Sequence, residues 1–419
     1  MRSRLLLVVL SSVVVCSSGR AQDTWTWSHR LELRGDYRWS ADERFNRPFP
    51  AGAVLATPDP GHHVELNAAD LQLDLGYGDW LGARVKAHGY AKHRRNPTSA
   101  DRTADIDELF VRIGPNPQFL ERPAGTTFFA QAGKFPKMER QPVRLLESYG
   151  LAATSFNRFE DVQVLVGGTI GRNLYWRVQA ANGNPVFMRD PNALAGDNGV
   201  RGDAEFGAGF PILYNAETED LFFRSEHVQI GEALGYRWQR DDQTLGFDLI
   251  VFHYERQMAD TEELTGTFYG GDLDLFALDE VGRPDLRLPF TTDQKEEYGA
   301  RLYGEWHGLT STVQFTKQNL AGMQREGWEG EVGYRIPVSL GPIESIQPAA
   351  RVSGLTNRFT SPAAWPAPSM RWQWTKIDGG VRIGLQHGLD VTLEYTKHNI
   401  GTAAPISLRE ALVTVRWRM

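Results

Sequence analysis

The chain has 419 residues, with 45 Lys and Arg against 52 Asp and Glu, and a formal net charge of −7. An acidic chain of this kind is not a general binder of nucleic acids. It has a single cysteine, Cys16, and after the first residues no segment approaches about eighteen consecutive apolar residues. The sequence therefore excludes a disulfide framework and apolar membrane-spanning helices.

The first 21 residues have the parts of a secretory signal peptide. Arg2 and Arg4 form a basic start, an apolar run covers residues 5–15, and a small-residue cleavage site ends at Ala21. Loss of this leader would remove the cysteine and three arginines, and would bring the net charge from −7 to −10. We therefore predict a mature protein of residues 22–419 that is a single unit without an internal linker.

After the leader, the chain is a series of short segments that alternate apolar and polar residues. In the first, residues 30–39, Leu31, Leu33, Tyr37 and Trp39 share one face and charged residues occupy the other. Sixteen strands are predicted, with eighteen left open, and bacterial single-chain barrels have an even number. The predicted strands are 30–39, 66–77, 80–93, 105–113, 126–133, 161–171, 173–182, 224–239, 244–255, 295–306, 309–318, 326–338, 343–354, 371–385, 388–397 and 407–418.

The connections between these segments alternate between short and long. The tight connections are 78–79, 172, 240–243, 307–308, 339–342 and 386–387, and the longest of the others are 40–65, 134–160, 183–223 and 257–294. Only residues 114–125 are longer than a periplasmic turn should be. The pattern predicts an all-β fold, a transmembrane antiparallel β-barrel of the outer membrane with long extracellular loops and short periplasmic turns. A soluble β-sandwich or β-helix would be left without a core by polar residues on nearly every strand.

Period-two alternation separates the lipid face of the barrel from the lumenal face. The predicted lipid-facing residues are Leu71, Leu73, Leu75, Tyr77, Val162, Val164, Val166, Ile170, Leu174, Trp176, Val178, Ala180, Leu389, Val391, Leu393 and Tyr395. The predicted lumenal residues are Arg30, Glu32, Arg34, Asp36, Arg38, Arg84, Lys86, His88, Lys92, Arg177, Gln179, Lys295, Glu297, Arg301, Glu305, Lys376, Asp378 and Arg382. Because charges of both signs face inward, we expect water in the lumen, and we expect Thr392 to point into it.

Several short strings resemble one family of channels. They are Ala132 to Pro136 followed by Glu139, then Leu146 to Ser148, Phe156 to Val162, and Tyr175 through Pro185. These strings are similar to the central part of the phosphate-selective porins O and P and their porin-like relatives. The resemblance implies a sixteen-stranded outer-membrane porin, often trimeric, whose third long loop folds inward. Asp107-Glu108 with Gly133-Lys134 and Arg140 also resembles the alginate-export barrels.

The sequence offers no motif for catalysis. It has no nucleophile elbow, zinc-binding His-Glu-x-x-His helix or phosphate-binding glycine loop. We therefore expect no enzyme and no cofactor, but passive diffusion of small hydrophilic solutes through a barrel in outer-membrane lipid. A polysaccharide-exporting barrel and a plugged structural or adhesive barrel remain alternatives. Asp272 and Asp274, in the loop 257–294, are a weak candidate for Ca²⁺, because their spacing matches no standard Ca²⁺ loop.

The predicted inward-folding loop, residues 134–160, is positively charged. It carries five cations against three glutamates, a net charge of +2 in an acidic protein. A positive constriction concentrates anions, and guanidinium groups match carboxylate and phosphate. The candidate constriction residues are Lys134, Lys137, Arg140, Arg144 and Arg158 on the loop, with Arg84 and Lys86 on the wall. Alternatively, Glu139 and Glu147 neutralise these neighbours and the loop only packs against the wall.

Overall fold

The computed structural model shows a closed antiparallel β-barrel of sixteen strands. It describes residues 24–41, 44–46, 54–56, 61–89, 104–117, 120, 121, 123, 125–156, 160–183, 186–188, 212–214, 228–257, 265–267, 294–320, 323–358, 371–401 and 406–419. The predicted signal peptide lies outside these residues. Short strands at 44–46, 54–56, 186–188, 212–214 and 265–267 form two small sheets apart from the barrel.

The barrel strands are numbered here in chain order. They are β1 (Trp25–Ser40), β2 (Gly61–Tyr77), β3 (Leu81–Gly89), β4 (Ala104–Ile113), β5 (Thr127–Pro136), β6 (Glu160–Ile170), β7 (Leu174–Ala181), β8 (Gln229–Gln239), β9 (Leu245–Gln257), β10 (Gln294–Trp306), β11 (Leu309–Leu320), β12 (Met323–Tyr334, continued by Ile336–Leu340), β13 (Ile343–Arg358), β14 (Arg371–Leu385), β15 (Leu389–Gly401) and β16 (Ile406–Arg418). The two parts of β12 pair with the same neighbour, β13, and count as one strand.

The sheet closes on itself because the first and last strands pair. Glu32 of β1 lies opposite Arg418 of β16 and opposite Asp70 of β2. The sheet is also continuous across the middle of the chain, because β7 pairs with β8. Closure leaves no strand edge unpaired, which is the condition for a sheet in lipid. The prediction of a sixteen-stranded antiparallel barrel is thus confirmed.

The outside of the barrel is apolar, as the period-two pattern predicts. Large apolar side chains are exposed there on many strands, among them Leu71, Leu73, Leu75, Val164, Val178, Leu234, Val251, Leu302, Val313, Val332, Ile377 and Leu393. In water such a continuous apolar surface would aggregate, whereas in a bilayer it contacts lipid tails. The barrel is therefore of the outer-membrane type.

Aromatic side chains mark both ends of this apolar band. Near the short-turn end, the exposed aromatic residues include Trp25, Trp27, Trp80, Trp306, Tyr334 and Trp417. Near the opposite end they are Tyr37, Tyr298, Trp328 and Tyr395. Amphipathic rings favour the two membrane interfaces, and β-barrels carry such girdles at both. Tyr298 and Trp306 lie eight residues apart on β10, which corresponds to roughly 25 Å of strand.

The long connection between β4 and β5 is explained by an inward fold. Gly114, with φ +84, turns the chain away from β4, where a Cβ would clash with the carbonyl oxygen of Phe128. On β8, the buried guanidinium of Arg237 donates hydrogen bonds to the carbonyl oxygens of Pro117 (2.9 Å) and Glu121 (3.1 Å). The connection is therefore longer than a hairpin turn because it crosses three strands along the inner wall.

The loop between β5 and β6 contains the short helix α1 (Leu151–Ser155). Among the described residues, no helix is long and apolar enough to cross a membrane.

Candidate pore-lining site

The loop between β5 and β6, residues 137–156, packs inside the barrel. Its backbone N–H groups are bound by glutamates that face inward from β12 and β15. Leu145 N donates to Glu331 Oε1 (2.6 Å), Glu147 N donates to Glu394 Oε2 (2.8 Å), and Ala152 N donates to Glu329 Oε2 (3.2 Å). In each case a carboxyl oxygen accepts the bond from a backbone donor that has no partner in a strand. The loop is thus fixed to the inner wall along much of its length.

Lumenal cations bind the same loop through its oxygen atoms. Arg325 donates to the carbonyl oxygen of Ser155 (2.8 Å) and Lys376 donates to that of Tyr149 (2.5 Å). Arg351 donates to Ser148 Oγ (2.6 Å). The inner faces of β10–β16, which we call the docked wall, are therefore covered by the loop in part, while Arg382, Arg416 and Arg418 of this wall still line the cavity described below. Thr392 lies on this wall with 1% exposure, so the expectation that it points into water is wrong.

Glu147, near the middle of the loop, binds three arginines from three strands. Its carboxylate lies 2.7 Å from Arg382, 2.9 Å from Arg416 and 3.3 Å from Arg34. Burial by itself would raise the pKa of Glu147, but these guanidinium groups outweigh burial and hold the pKa well below its usual range. Arg144 adds a fourth positive charge at 3.9 Å. The alternative that Glu147 neutralises the neighbouring cations of the loop is thus not what the structure shows, because its close partners are on the wall and Arg144 at 3.9 Å is the nearest loop cation among the described residues.

A cavity of about 900 Å³ lies between the loop and the opposite wall. We call the inner faces of β2–β4 the open wall, because their charged side chains line this cavity and no loop among the described residues covers them. Among the residues that the structure describes, thirteen Lys and Arg line the cavity, against six Asp and Glu. The cations are Arg30, Arg34, Arg84, Lys86, Arg112, Lys134, Lys137, Arg140, Arg144, Arg177, Arg382, Arg416 and Arg418; the anions are Glu32, Asp70, Asp105, Asp107, Glu108 and Glu160.

The two predicted wall cations lie on the open wall, each between carboxylates. Arg84 is 2.6 Å from Asp74 and 3.2 Å from Glu108. Lys86 is 3.2 Å from Asp70 and 2.6 Å from Asp107. Both cations remain partly exposed to the cavity. Their ion pairs fix their positions but do not remove them from water.

The predicted loop cations fall into different environments. Arg140 and Arg144 line the cavity, Arg140 paired with Glu160 and Arg144 stacked on the ring of Tyr149, with Cζ 4.0 Å from the ring centroid. Lys137 also borders the cavity but is only 2% exposed, and its Nζ lies 5.5 Å from the ring centroid of Tyr254.

The two remaining loop candidates are Lys134 and Arg158. Lys134 belongs to β5, is buried, and lies 3.6 Å from Asp105. Arg158 lies outside the described residues and is therefore not assigned to the site. The structure therefore brings Arg140, Arg144, Arg84 and Lys86 to one cavity, and places Lys134 and Lys137 at its buried margin.

The candidate Ca²⁺ ligands Asp272 and Asp274 lie outside the described residues. Within the described part of the chain, Asp70, His88 and Asp107 have ligand atoms within 4.8 Å of one another. The Lys86 ammonium lies against both of these aspartates. It already supplies the positive charge that a metal ion would bring, so the cluster is an ion-pair network of the open wall.

Sequence reasoning missed the residues that hold the loop. The sequence pattern predicts that Arg34, Lys376 and Arg382 face the lumen, but not that they contact the loop, and it does not single out Arg416 or Glu394. The period-two pattern could have indicated that both face inward, because Leu393 and Val415 beside them face lipid. No sequence signal indicated that they meet residues about 250 positions away.

The fold has solved counterparts among outer-membrane proteins. OprB of Pseudomonas putida matches with a TM-score of 0.52 at 9% identity, over 94% of each chain. The outer-membrane channel DcaP of Acinetobacter baumannii matches with 0.52 at 8% identity, over 96% of this chain and 100% of that one. The trimer form of OmpT, an outer-membrane protein of Vibrio cholerae, matches with 0.52 at 11% identity, over 95% and 100%.

These likenesses show a barrel of the porin type, which confirms the predicted fold. Neither a protein-family model nor a curated protein matches the chain. The resemblance to the phosphate-selective porins O and P therefore stays a resemblance, and the solved structures show only a fold that outer-membrane porins and channels share.

Proposed function

We propose that the protein is an outer-membrane channel for passive diffusion of small hydrophilic anions, with the loop 137–156 as its constriction. The observation that carries this proposal is the charge of the cavity lining, where, among the described residues, thirteen cationic side chains and six anionic ones line the cavity. In a low-dielectric wall, such an excess raises the local concentration of anions and lowers that of cations. No cofactor or chemical step is needed.

Arg140 and Arg144 are the loop cations that best fit this role. Both line the cavity, and a guanidinium offers a carboxylate or phosphate two parallel donors. Arg84 and Lys86 face the same cavity from the open wall. Because their own carboxylate partners are partly exposed, a passing anion can compete for them at little cost in desolvation.

The test is the reversal potential of single channels in a planar bilayer under a potassium chloride gradient. We expect a reversal potential whose sign indicates that anions pass more readily than cations. The double replacement Arg140→Ala with Arg144→Ala should move this potential toward zero. Arg240→Ala is the matched control, because Arg240 is an exposed turn residue paired with Asp242 away from the cavity. Lys137 is not replaced in this test, because it is buried and its replacement would change the stability of the fold as well as the charge of the cavity.

Each alternative has its own outcome. Cation preference in the native channel would contradict the anion proposal while leaving a channel. Folded, heat-modifiable protein that gives no conductance steps would favour a plugged structural barrel. Block by an anionic polysaccharide, without passage of small anions, would favour an exporter.

We also propose a homotrimer in the outer membrane. The support is the trimer form of the similar OmpT of Vibrio cholerae. Mass measurement of the detergent-solubilised protein tests this assembly.

A further inference from the structure

The cavity is lined by cations, but apolar side chains lie among them at accessible positions. Phe110 on β4 and Tyr149 on the loop are half-buried, and Val143 on the loop is exposed. A lumen that only passes ions through water is expected to be polar. Apolar surface left in contact with water inside a pore contributes nothing to the passage of a hydrophilic anion.

On the wall side of the cavity, an aromatic ring lies beneath a cation. The Arg84 guanidinium carbon lies 5.6 Å from the ring centroid of Phe110. That ring packs edge-on against Phe135, with centroids 5.6 Å apart and planes at 70°. Phe135, Met138 and a buried cluster behind them support it. Phe110 is thus a rigid apolar surface directly beside a positive charge.

On the loop side, the same pairing occurs. Val143 follows Pro142 and lies between Arg140 and Arg144 in sequence, and it is 41% exposed although it lines the cavity. The Arg144 guanidinium carbon lies 4.0 Å from the ring centroid of Tyr149. An isopropyl group and a ring therefore flank the cations of the loop.

We propose that the cavity prefers carboxylates that carry an aromatic ring over hydrophilic anions of the same charge. This inference rests on the proposed anion channel and names the substrate class of that site. The carboxylate binds the guanidinium and ammonium groups, while the ring displaces water from Phe110, Val143 and the flat face of the Arg144–Tyr149 stack. On each side of the cavity, the carboxylate of such a solute can bind a cation and its ring can contact an apolar surface.

The experiment measures the relative permeability of benzoate and acetate from reversal potentials under bi-ionic conditions. Acetate is smaller, so a pore without an apolar contact passes acetate more readily than benzoate. We expect the native channel to show a benzoate to acetate ratio above one. Val143→Ser should lower this ratio roughly two- to fivefold, the factor that loss of contact with about one methylene group gives. Val143→Leu, which keeps an apolar side chain, should retain the native ratio.

The outcomes separate the two proposals. A native channel that prefers anions but gives a ratio below one overturns the aromatic preference and leaves the anion channel standing. A ratio that changes equally in Val143→Ser and Val143→Leu also overturns it. A native channel that does not prefer chloride to potassium overturns the anion channel itself, and the inference with it. Because Val143 is exposed, neither replacement removes a packed core contact, and heat-modifiable migration checks the fold of both variants.

Discussion

The docked wall and the open wall carry the same kind of charged pattern, yet their side chains are in different states. Arg351 on the docked wall is 1% exposed and lies 3.1 Å from Glu331 and 2.9 Å from Asp378. Arg84 on the open wall has a similar pair of carboxylates but is 33% exposed. The difference is the loop 137–156, which covers Arg351 and leaves Arg84 in contact with the cavity.

This comparison shows that an inward-facing charge has no fixed role in this barrel. Where the loop covers it, a charge is part of a buried network whose members depend on one another. Where the loop leaves it uncovered, a charge keeps its hydration and sets the potential of the cavity. Substitutions on the docked wall should therefore change stability, and those on the open wall should change selectivity.

The largest effect is expected for Arg351→Ala. It leaves Glu331 and Asp378 buried without their shared cation, and it removes a donor to Ser148. Loss of one partner from a buried ion network costs about 3–5 kcal/mol. Urea unfolding in detergent micelles measures the loss. Arg84→Ala is the control, with an expected cost below about 1 kcal/mol and a shifted reversal potential; equal losses at both positions would remove the distinction between the walls.

The second effect compares the lipid face with the docked wall on one strand. Leu393→Arg places a charge in lipid and should cost about 2–4 kcal/mol, seen as impaired assembly and a lower unfolding midpoint. Thr392→Arg should also destabilise the barrel, because Thr392 is buried and lies 3.4 Å from Arg382 Nε. Lys397→Gln, at an exposed position of the same strand, should be nearly neutral. Full tolerance of Thr392→Arg would mean that the lumen there contains water.

The third effect concerns how firmly the loop is held. Glu394→Gln replaces a carboxyl group that accepts from the N–H groups of Glu147 and Ser148 with an amide, which can turn a donor toward them. The expected cost is about 1–3 kcal/mol, with noisier open-channel current as the loop loosens. Glu232→Gln is the control, since Glu232 is 72% exposed on the outside. Identical current noise in both variants would show that Glu394 does not anchor the loop.

The smallest effect is expected from acidification at Glu147. Its native pKa lies well below the ordinary value of 4.5, so its contribution to the free energy of unfolding is fully present above that value. The contribution falls only as the pH drops through the lower native pKa. The difference in unfolding free energy between the native protein and Glu147→Gln should therefore be equal at pH 7 and pH 5. A difference that shrinks over this interval would show that the arginines do not control this carboxylate.

The amino-acid sequence by itself determined the barrel and the direction of its side chains. Leu71, Leu73 and Leu75 could be assigned to lipid because alternation is a local property of a strand, and the bilayer enforces it on every strand. The alternation of short and long connections predicted the strand number for a similar reason. Turns at one end need only a few residues, and the one apparent exception, residues 114–125, is an inward fold that hydrogen bonds from Arg237 hold in place.

Only the tertiary structure decided which inward charges meet. Alternation tells that Arg34, Arg382 and Arg416 face inward, but their convergence on Glu147 requires that β1, β14 and β16 be brought together by closure of the barrel. Likewise, Lys137 and Arg140 are three residues apart in sequence, yet the path of the loop buries one and leaves the other at the cavity. A period of two fixes the face of a residue, whereas its partners depend on loop path and ring closure, which no local pattern encodes.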